Sequence, residues 1–285
     1  MVHCKRVHFA EPAMKALCSK CVAVNHLQLQ PDSDEISLLP ALNQIGQYCD
    51  SLEMLSVRAS GRISGPALTS VMRRCTKLRT VDLGSISLTA AAFLEMARNC
   101  QALNRINICL NGDDQRFAEG LKLLGKTLTS FSGGMHESIL FLTACHWEKL
   151  TALSLFKCKW SDLLLEHVAT YCTGVISLGI YSGAEDISEV GLAAMAARMP
   201  QLQKFGLASR TVNNAGVMAV ATGCPSLTKM TIRLSTNVTD ASARAMLAQV
   251  HIKEIYFHHC QLVSEEVNDM CNKWSYSNNP NTMNM

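Results

Sequence analysis

The chain has 285 residues, and its 26 Lys and Arg residues outnumber its 23 Asp and Glu residues, for a formal net charge of +3. So small a charge does not indicate nucleic-acid binding without a concentrated basic patch, and no segment approaches the roughly 20 apolar residues of a membrane-spanning helix. The 13 cysteines, an odd number, argue against a disulfide framework. We therefore expect a cytoplasmic protein or one of another reducing intracellular compartment, with cytoskeletal, ciliary or nuclear association left open.

A repeat of the form L-x-x-L-x-L runs along nearly the whole chain. Its first position, the anchor of each unit, recurs every 22 to 28 residues, after a partial unit at Cys4. The alternating triplet predicts a β-strand, and the apolar run with helical spacing that follows predicts an α-helix. The triplets are Val24/Leu27/Leu29, Leu52/Leu55/Val57, Leu78/Val81/Leu83, Leu103/Ile106/Ile108, Leu128/Phe131/Gly133, Leu150/Leu153/Leu155, Val175/Leu178/Ile180, Leu202/Phe205/Leu207, Leu227/Met230/Ile232 and Ile252/Ile255/Phe257. One strand and one helix cannot bury their apolar faces alone, so successive units must stack.

Two further columns keep the same period as the triplets. A cysteine precedes many of the anchors by three residues, and free cysteine packs as a small, weakly polar core residue. A capping residue opens each apolar run, where it can accept a hydrogen bond from an otherwise unpaired helix N–H. The cysteines are Cys21, Cys49, Cys75, Cys100, Cys172 and Cys224, and the caps are Ser64, Thr89, Ser161, Ser188, Asn213, Thr239 and Ser264. Acidic residues follow four of the caps, where the helix dipole favours a negative charge: Asp162, Glu189, Asp240 and Glu265.

The combined pattern C-x-x-L-x-x-L-x-L-x-x-C-x-x-[IV]-[ST]-[DE] resembles the cysteine-containing leucine-rich repeat of F-box/LRR ubiquitin-ligase receptors and AMN1-like proteins. Residues 150–172 and 227–249 match it best, and the resemblance covers residues 4–271. It implies an α/β leucine-rich-repeat solenoid of about ten to eleven repeats, with a curved parallel sheet on the concave side and helices on the convex side. No F-box is evident, because residues 39–45 lie where the second unit needs its helix.

We assign the repeat to one domain, residues 1–271, although the length would allow two. Residues 1–20 form an N-terminal capping unit, and because Cys4 already lies in the repeat we expect no cleaved signal peptide. Residues 272–285 form a polar C-terminal tail that leaves the pattern. Three residues are expected to seal the last unit: Val267, Met270 and Trp274.

The pattern is irregular between residues 108 and 150. Asn111 to Asp114 is a turn-rich insertion, and Gly133-Gly134 replaces the apolar end of a strand. Glycine there either weakens the strand or lets another backbone approach closely. We favour a local irregularity in curvature over a partner-contact site.

Clusters of cysteine and histidine are weak candidates for metal sites. Cys18-x-x-Cys21 and His258-His259-Cys260 each contain a cysteine that the repeat already explains. Adjacent strand residues also point to opposite faces, whereas structural zinc needs four converging ligands. Since there is also no phosphate-binding loop and no Ser, His and acid motif, we expect no metal, no cofactor and no enzymatic activity.

Residues two, four and six positions after each anchor should face outward on the concave sheet, because side chains alternate along a strand. This places Phe156 and Tyr181 side by side, next to a small-residue floor formed by Ser154, Gly179 and Gly206. The predicted protein-binding residues are Phe156, Tyr181, Lys204, Lys229, Arg233 and Tyr256. Aromatic residues with a basic flank suit a protein partner that carries an acidic segment. The alternative is a solvated sheet face on which two rings pack together.

We therefore predict a non-enzymatic protein–protein interaction module, acting as a scaffold or as a structural subunit of a larger assembly. The resemblance implies an alternative, a substrate-receptor or regulatory component of an SCF-type ubiquitin ligase. An enzyme is a remote third alternative. We expect a protein partner, no nucleic acid and no membrane insertion.

Overall fold

A computed structural model describes residues 2–5, 25–30, 38–57 and 65–277. Over these ranges parallel β-strands alternate with α-helices, which confirms the predicted α/β repeat. The chain divides into two compact units, Met1–Lys149 and Leu150–Met285, and each is described by itself. Apart from the strand Val2–Lys5, the predicted capping unit at residues 1–20 lies outside the described residues, as does the Cys18-x-x-Cys21 cluster.

In the first unit, the described strands are parallel and follow chain order. They are β1 (Val2–Lys5), β2 (His26–Gln30), β3 (Met54–Val57), β4 (Thr80–Leu88), β5 (Arg105–Leu110) and β6 (Ser130–Gly134). The helices are α1 (Leu38–Tyr48), α2 (Gly65–Arg74), α3 (Ala90–Asn99), α4 (Gln115–Leu124) and α5 (Glu137–Thr143). Equivalent triplet positions pair from β2 to β6, through Leu27, Leu55, Val81, Ile106 and Phe131. The repeat period therefore sets the strand register, with one shift in β4 between Asp82 and Ser87.

The second unit repeats this arrangement. Its strands are β7 (Ala152–Phe156), β8 (Ser177–Ile180), β9 (Lys204–Ala208), β10 (Lys229–Arg233) and β11 (Glu254–His258). Its helices are α6 (Asp162–Tyr171), α7 (Glu189–Arg198), α8 (Asn214–Gly223), α9 (Asp240–Leu247) and α10 (Glu265–Ser277). Parallel pairing aligns Leu153, Leu178, Phe205, Met230 and Ile255.

The triplet residues form the core of each unit. In β7, Leu153 and Leu155 are fully buried, whereas Ser154 and Phe156 are half-buried. Full burial of a leucine side chain contributes about 1.5–3 kcal/mol, so the inward positions fix which face of each strand is covered. The outward positions, two, four and six residues after each anchor, form what we call the open face of the sheet.

The predicted cysteine column is buried wherever the structure describes it. Cys75 Sγ donates a hydrogen bond to Cys49 O at 3.0 Å, and Cys100 Sγ lies 3.5 Å from Cys75 O. Burial raises the pKa of Cys75 and of Cys100 to about 12, so both side chains are neutral thiols at neutral pH. Their packing role is therefore confirmed, while Cys21 lies outside the described residues.

The cap column is confirmed, and its hydrogen bonds also join successive repeats. Ser161, Ser188 and Asn213 each accept a hydrogen bond from a backbone N–H in the first turn of their helices. Asp162, the first residue of α6, accepts from Ser188 N at 2.8 Å and from Ser188 Oγ at 2.6 Å. Asp240 makes the same pair of contacts with Ser264, at 2.7 and 2.8 Å. The acidic residue after a cap thus also fixes the cap of the next helix, and Ser64 lies outside the described residues.

The Gly133-Gly134 segment forms a regular strand end in register with β5. Gly133 has φ +139°, and a Cβ built there would overlap with Ile108 O. Close backbone approach, the second of the two explanations that we considered, therefore accounts for glycine at this position.

The last helix extends past residue 272, where the polar tail was expected to begin, because α10 remains helical to Ser277. Trp274 Nε1 donates to Ile252 O at 3.2 Å, and the buried Ser275 Oγ accepts from Ile255 N at 2.8 Å. These bonds satisfy backbone groups of the edge strand β11 and of Ile252, which lies two residues before it, and this explains why the polar sequence stays helical. Val267 and Trp274 help to seal the last unit as predicted, whereas Met270 is 40% exposed.

Candidate functional site

All six predicted binding residues lie on the open face of the second unit. Phe156 ends β7, Tyr181 directly follows β8, Lys204 begins β9, Lys229 and Arg233 are the two ends of β10, and Tyr256 lies in β11. Since their inward neighbours form the core, alternation along the strands turns these side chains outward.

The ring of Tyr181 covers the glycines of the small-residue floor. A Cβ built on Gly206 would lie 2.9 Å from Tyr181 Oη, and one built on Gly179 would lie 2.7 Å from Tyr181 Cε2. The ring occupies the space that two side chains would otherwise fill. It is nevertheless 38% exposed, so it presents an aromatic surface while its position is fixed from beneath.

Phe156 and Tyr181 lie at the ends of neighbouring strands, but their two rings do not pack on each other in the described structure. The two backbones are adjacent, with Tyr181 N donating to Leu155 O at 2.9 Å. The ring of Tyr181 extends over Gly179 and Gly206, however, and in the described structure it makes no ring contact with Phe156. The open space above the two glycines explains this direction.

Arg233 lies over the ring of Tyr181, with its guanidinium carbon 5.5 Å from the ring centroid. This is the geometry of a cation–π interaction, worth about 0.5–1 kcal/mol at an exposed site. Arg233 is exposed and forms no salt bridge within the described part of the chain. Its positive charge and its hydrogen-bond donors are therefore held in place and directed to solvent.

Lys229 differs from Arg233, because its charge is already neutralised. Its Nζ lies 2.7 Å from Glu254 Oε2 and 4.9 Å from the ring centroid of Tyr256. The Tyr256 hydroxyl donates to the same carboxylate oxygen at 3.3 Å. The three predicted basic residues thus do not act alike, since Glu254 compensates Lys229 and leaves Lys204 and Arg233 as uncompensated charges.

His258 also lies on this face, at an outward position that the repeat predicts, although it is not among the six predicted binding residues. Its ring is nearly parallel to that of Tyr256, with centroids 6.2 Å apart and an interplanar angle of 7°. His258 is the register partner of Arg233 in the parallel pairing of β10 with β11. Partial desolvation of its exposed ring lowers the pKa of His258 below its ordinary value, and the charges of Arg233 and His259 lower that pKa further. Its position six residues after the last anchor was the available signal.

The open face of the first unit has a different chemistry. Asp82 accepts hydrogen bonds from Ser56 Oγ at 3.2 Å and from Asn107 Nδ2 at 2.8 Å. Nearby, Arg79 Nε lies 3.8 Å from Glu53 Oε2. Asp82, Arg79 and Glu53 therefore have partners within the unit, whereas Arg105 at the start of β5 is exposed and forms no salt bridge among the described residues.

Neither a metal centre nor a membrane helix emerges from the described residues. In the ranges that the structure covers, no three His, Cys, Asp or Glu side chains converge as metal ligands. Within the same ranges, no helix combines the length and the apolar character that crossing a membrane requires.

No protein-family model matches the chain. Among solved structures, the leucine-rich repeat-containing protein LegL7 from Legionella pneumophila is 12% identical with a TM-score of 0.53, and the match covers 99% of each chain. A chain of the TLR13–ssRNA13 complex is 14% identical with a TM-score of 0.53, over 89% of this chain and 35% of that one. A chain of the yeast Rad7–Elc1 complex is 12% identical with a TM-score of 0.49, over 90% and 84% of the two chains.

Likeness at this level of identity shows the fold alone. The chain has the α/β leucine-rich-repeat fold, with parallel strands and helices alternating along the sequence. The narrower resemblance to F-box/LRR and AMN1-like proteins stays a prediction.

Proposed function

We propose that the chain is a non-enzymatic protein–protein interaction module, and that the open face of its second unit binds an acidic segment of a protein partner. The observation that carries this proposal is Arg233, an exposed cation held on the ring of Tyr181 without a carboxylate partner among the described residues. Exposed tyrosine and arginine are the residue types that dominate binding energy at protein interfaces.

The arrangement beneath Arg233 supports the proposal energetically. Tyr181 rests on Gly179 and Gly206, and Arg233 rests on Tyr181. Side chains that are already positioned lose less conformational entropy when a partner binds, which otherwise costs about 0.5–1.5 kcal/mol for each ordered side chain. Phe156, half-buried at the end of β7, extends the apolar surface on one side.

A protein partner fits this face better than a nucleic acid. Glu254 neutralises Lys229, and the uncompensated cations that remain among the predicted binding residues, Lys204 and Arg233, are too few for the many phosphate contacts of a nucleic acid. The formal charge of +3 also gives little long-range attraction for a polyanion. The ubiquitin-ligase receptor alternative stays a prediction from the resemblance.

Partner capture with two matched double variants tests the proposal. Phe156→Ala/Tyr181→Ala removes the aromatic surface of the open face. Glu166→Ala/Arg198→Ala removes a 2.7 Å ion pair exposed on the helices of the same unit. Partners are identified by affinity purification and mass spectrometry with the wild-type chain, and their affinities are then measured with the purified proteins.

We expect the aromatic variant to lose more than about 2 kcal/mol of binding free energy, as hot-spot truncations do. The helix-face variant should bind like the wild type, and both should remain folded. If the helix-face variant abolishes binding while the aromatic variant has no effect, the partner binds elsewhere and the proposal is wrong.

A further inference from the structure

Two residues whose side chains can carry positive charge are register partners at one end of the open face. Arg233 and His258 are paired residues of adjacent parallel strands, which places their backbones about 4.8 Å apart. Each lies against a tyrosine, Arg233 over Tyr181 and His258 parallel to Tyr256. The pair is therefore positioned by two aromatic rings rather than by a neighbouring acid.

The other end of the same strands is arranged differently. Lys229 and Glu254, which are also paired across β10 and β11, form a 2.7 Å ion pair. An incoming anion would have to displace Glu254 in order to bind Lys229, whereas no such carboxylate stands beside Arg233 in the described structure. An anion would therefore bind at the end of these strands where Arg233 and His258 lie.

We propose that Arg233 and His258 together bind a carboxylate of the partner's acidic segment, and that His258 takes up a proton when this carboxylate binds. This inference rests on the proposed function, and it adds the position of the charged contact and its dependence on pH. The Arg233 guanidinium donates to the carboxylate, and the protonated imidazole supplies the second donor.

The surroundings of His258 explain the proton uptake. Arg233 from β10 and His259 from the turn after β11 are positive or titratable, and Tyr256 lies on the same strand. The helix α10, which also packs on β11, meets the strand backbone through Trp274 and Ser275. Partial desolvation and these positive neighbours hold the pKa of His258 low in the free protein.

A bound carboxylate opposes both effects and raises the pKa of His258. Binding must therefore tighten as the pH falls towards that pKa. The carboxylates of a peptide stay charged at pH 5.5, since the ordinary pKa of glutamate is about 4.3.

A carboxylate fits this pair better than a phosphate dianion. Recognition of phosphorylated segments commonly uses clusters of arginines, and here a single uncompensated arginine stands beside a histidine. Glu254, two residues before Tyr256 on β11, would also repel a dianion more strongly than a monoanion. We therefore assign the site to an acidic, unphosphorylated segment.

The experiment uses the full chain and a fluorescein-labelled peptide of alternating Glu and Gly. Fluorescence anisotropy gives the Kd at constant ionic strength between about pH 8 and about pH 5.5. We expect the wild-type Kd to fall about tenfold over this range, the effect of a one-unit pKa change on binding. His258→Gln should abolish the pH dependence, whereas the matched variant His259→Gln should retain it.

Two further variants and an NMR titration distinguish binding at this site from general electrostatic attraction. Arg233→Gln should weaken binding about tenfold at every pH, as loss of a charged hydrogen bond does. Gly206→Ala keeps every charge, but its Cβ displaces the Tyr181 ring and should also weaken binding. In NMR titrations, adding the peptide should raise the pKa of the His258 ring.

Wild-type binding that does not change with pH, tightening that persists in His258→Gln, or no binding of the peptide would each overturn the assignment. None of these results touches the proposed function, which is judged by partner capture at a single pH. Tenfold tighter binding of a phosphoserine-containing version of the peptide would overturn the choice of carboxylate.

Discussion

The open faces of the two units differ in how their charged side chains are held. In the first unit, Asp82 accepts hydrogen bonds from Ser56 and Asn107, so its charge is satisfied within the face. In the second unit, Arg233 rests on Tyr181 and has no carboxylate partner among the described residues. The number of polar residues on a repeat face therefore says little about binding, because what matters is which charges the face both holds in position and leaves uncompensated.

The largest effect on stability should come from truncating a core side chain beneath the open face of the second unit. Leu153 is fully buried beneath the open face, in register with Leu178. Leu153→Ala should cost about 2–5 kcal/mol of unfolding free energy, as truncation of a buried leucine does. Urea denaturation measures the loss, and hydrogen exchange should accelerate around residues 150–180. Exchange that stays slow there would contradict the assigned core.

A smaller effect is expected at the edge strand that carries Tyr256 and His258. The buried Ser275 hydroxyl accepts a hydrogen bond from Ile255 N, and Ser275→Ala leaves this N–H without a partner. An unsatisfied buried donor costs about 1–3 kcal/mol. Thermal denaturation should show the loss, and exchange of the Ile255 amide should accelerate. An equal effect from Lys273→Ala, at an exposed position of the same helix, would contradict the role assigned to the Ser275 hydroxyl.

The sequence predicted the repeated parts of this fold well, because they depend on local periodic signals. Core positions such as Leu153 and Leu155, caps such as Ser161 and buried thiols such as Cys75 all follow from their columns. The end of α10 did not follow, because Asn and Ser are weak helix formers. Hydrogen bonds from Trp274 and Ser275 to β11 override that local preference.

The strand positions of the candidate site residues were predicted from the sequence, but the interactions among their side chains were not. Alternation placed Tyr181 and Arg233 outward, but the direction of the Tyr181 ring depends on Gly179 and Gly206 in different strands. The pairing of Lys229 with Glu254 could have been found, since both residues stand two positions after their anchors. Comparing the charged residues at the same position of successive repeats would have shown that Lys229 has an acidic neighbour and that Arg233 has none.

The hydrogen-bonded network on the open face of the first unit allows a test in which stability should change and partner binding should not. Asp82→Ala removes the acceptor for Ser56 and Asn107 and should cost about 1–2 kcal/mol of stability, since a hydrogen bond to a charged group contributes about 1.5–3 kcal/mol and these groups are partly solvated. It should leave partner affinity unchanged, as measured with the purified proteins. Loss of binding in a variant that stays folded would show that the first face takes part in recognition.

The smallest effect concerns the contacts between caps, which support the helices of the second unit. Hydrogen bonds from Ser264 N and Oγ hold the pKa of Asp240 below its ordinary value. The stabilisation is therefore present above the unfolded-state pKa, about 3.9, and is lost as the pH falls through the lower folded-state pKa.

Asp240→Asn should lower the urea midpoint slightly at neutral pH and match the wild type in acid. Asp269→Asn, at an exposed carboxylate of α10, serves as the control and should show no such convergence. A difference between Asp240→Asn and the wild type that is constant from neutral to acidic pH would refute this explanation of the cap contact.

The central claim is that binding resides on the second face, and one comparison tests it most directly. Tyr181→Ala/Arg233→Ala changes the second face, and Ser56→Ala/Asn107→Ala changes the first. Isothermal titration calorimetry with the captured partner gives the Kd for both variants. We predict a loss of more than about thirtyfold for the second-face variant, equivalent to about 2 kcal/mol, and less than about twofold for the first-face variant. A large loss in the first-face variant, with wild-type affinity in the second-face variant, would contradict the claim.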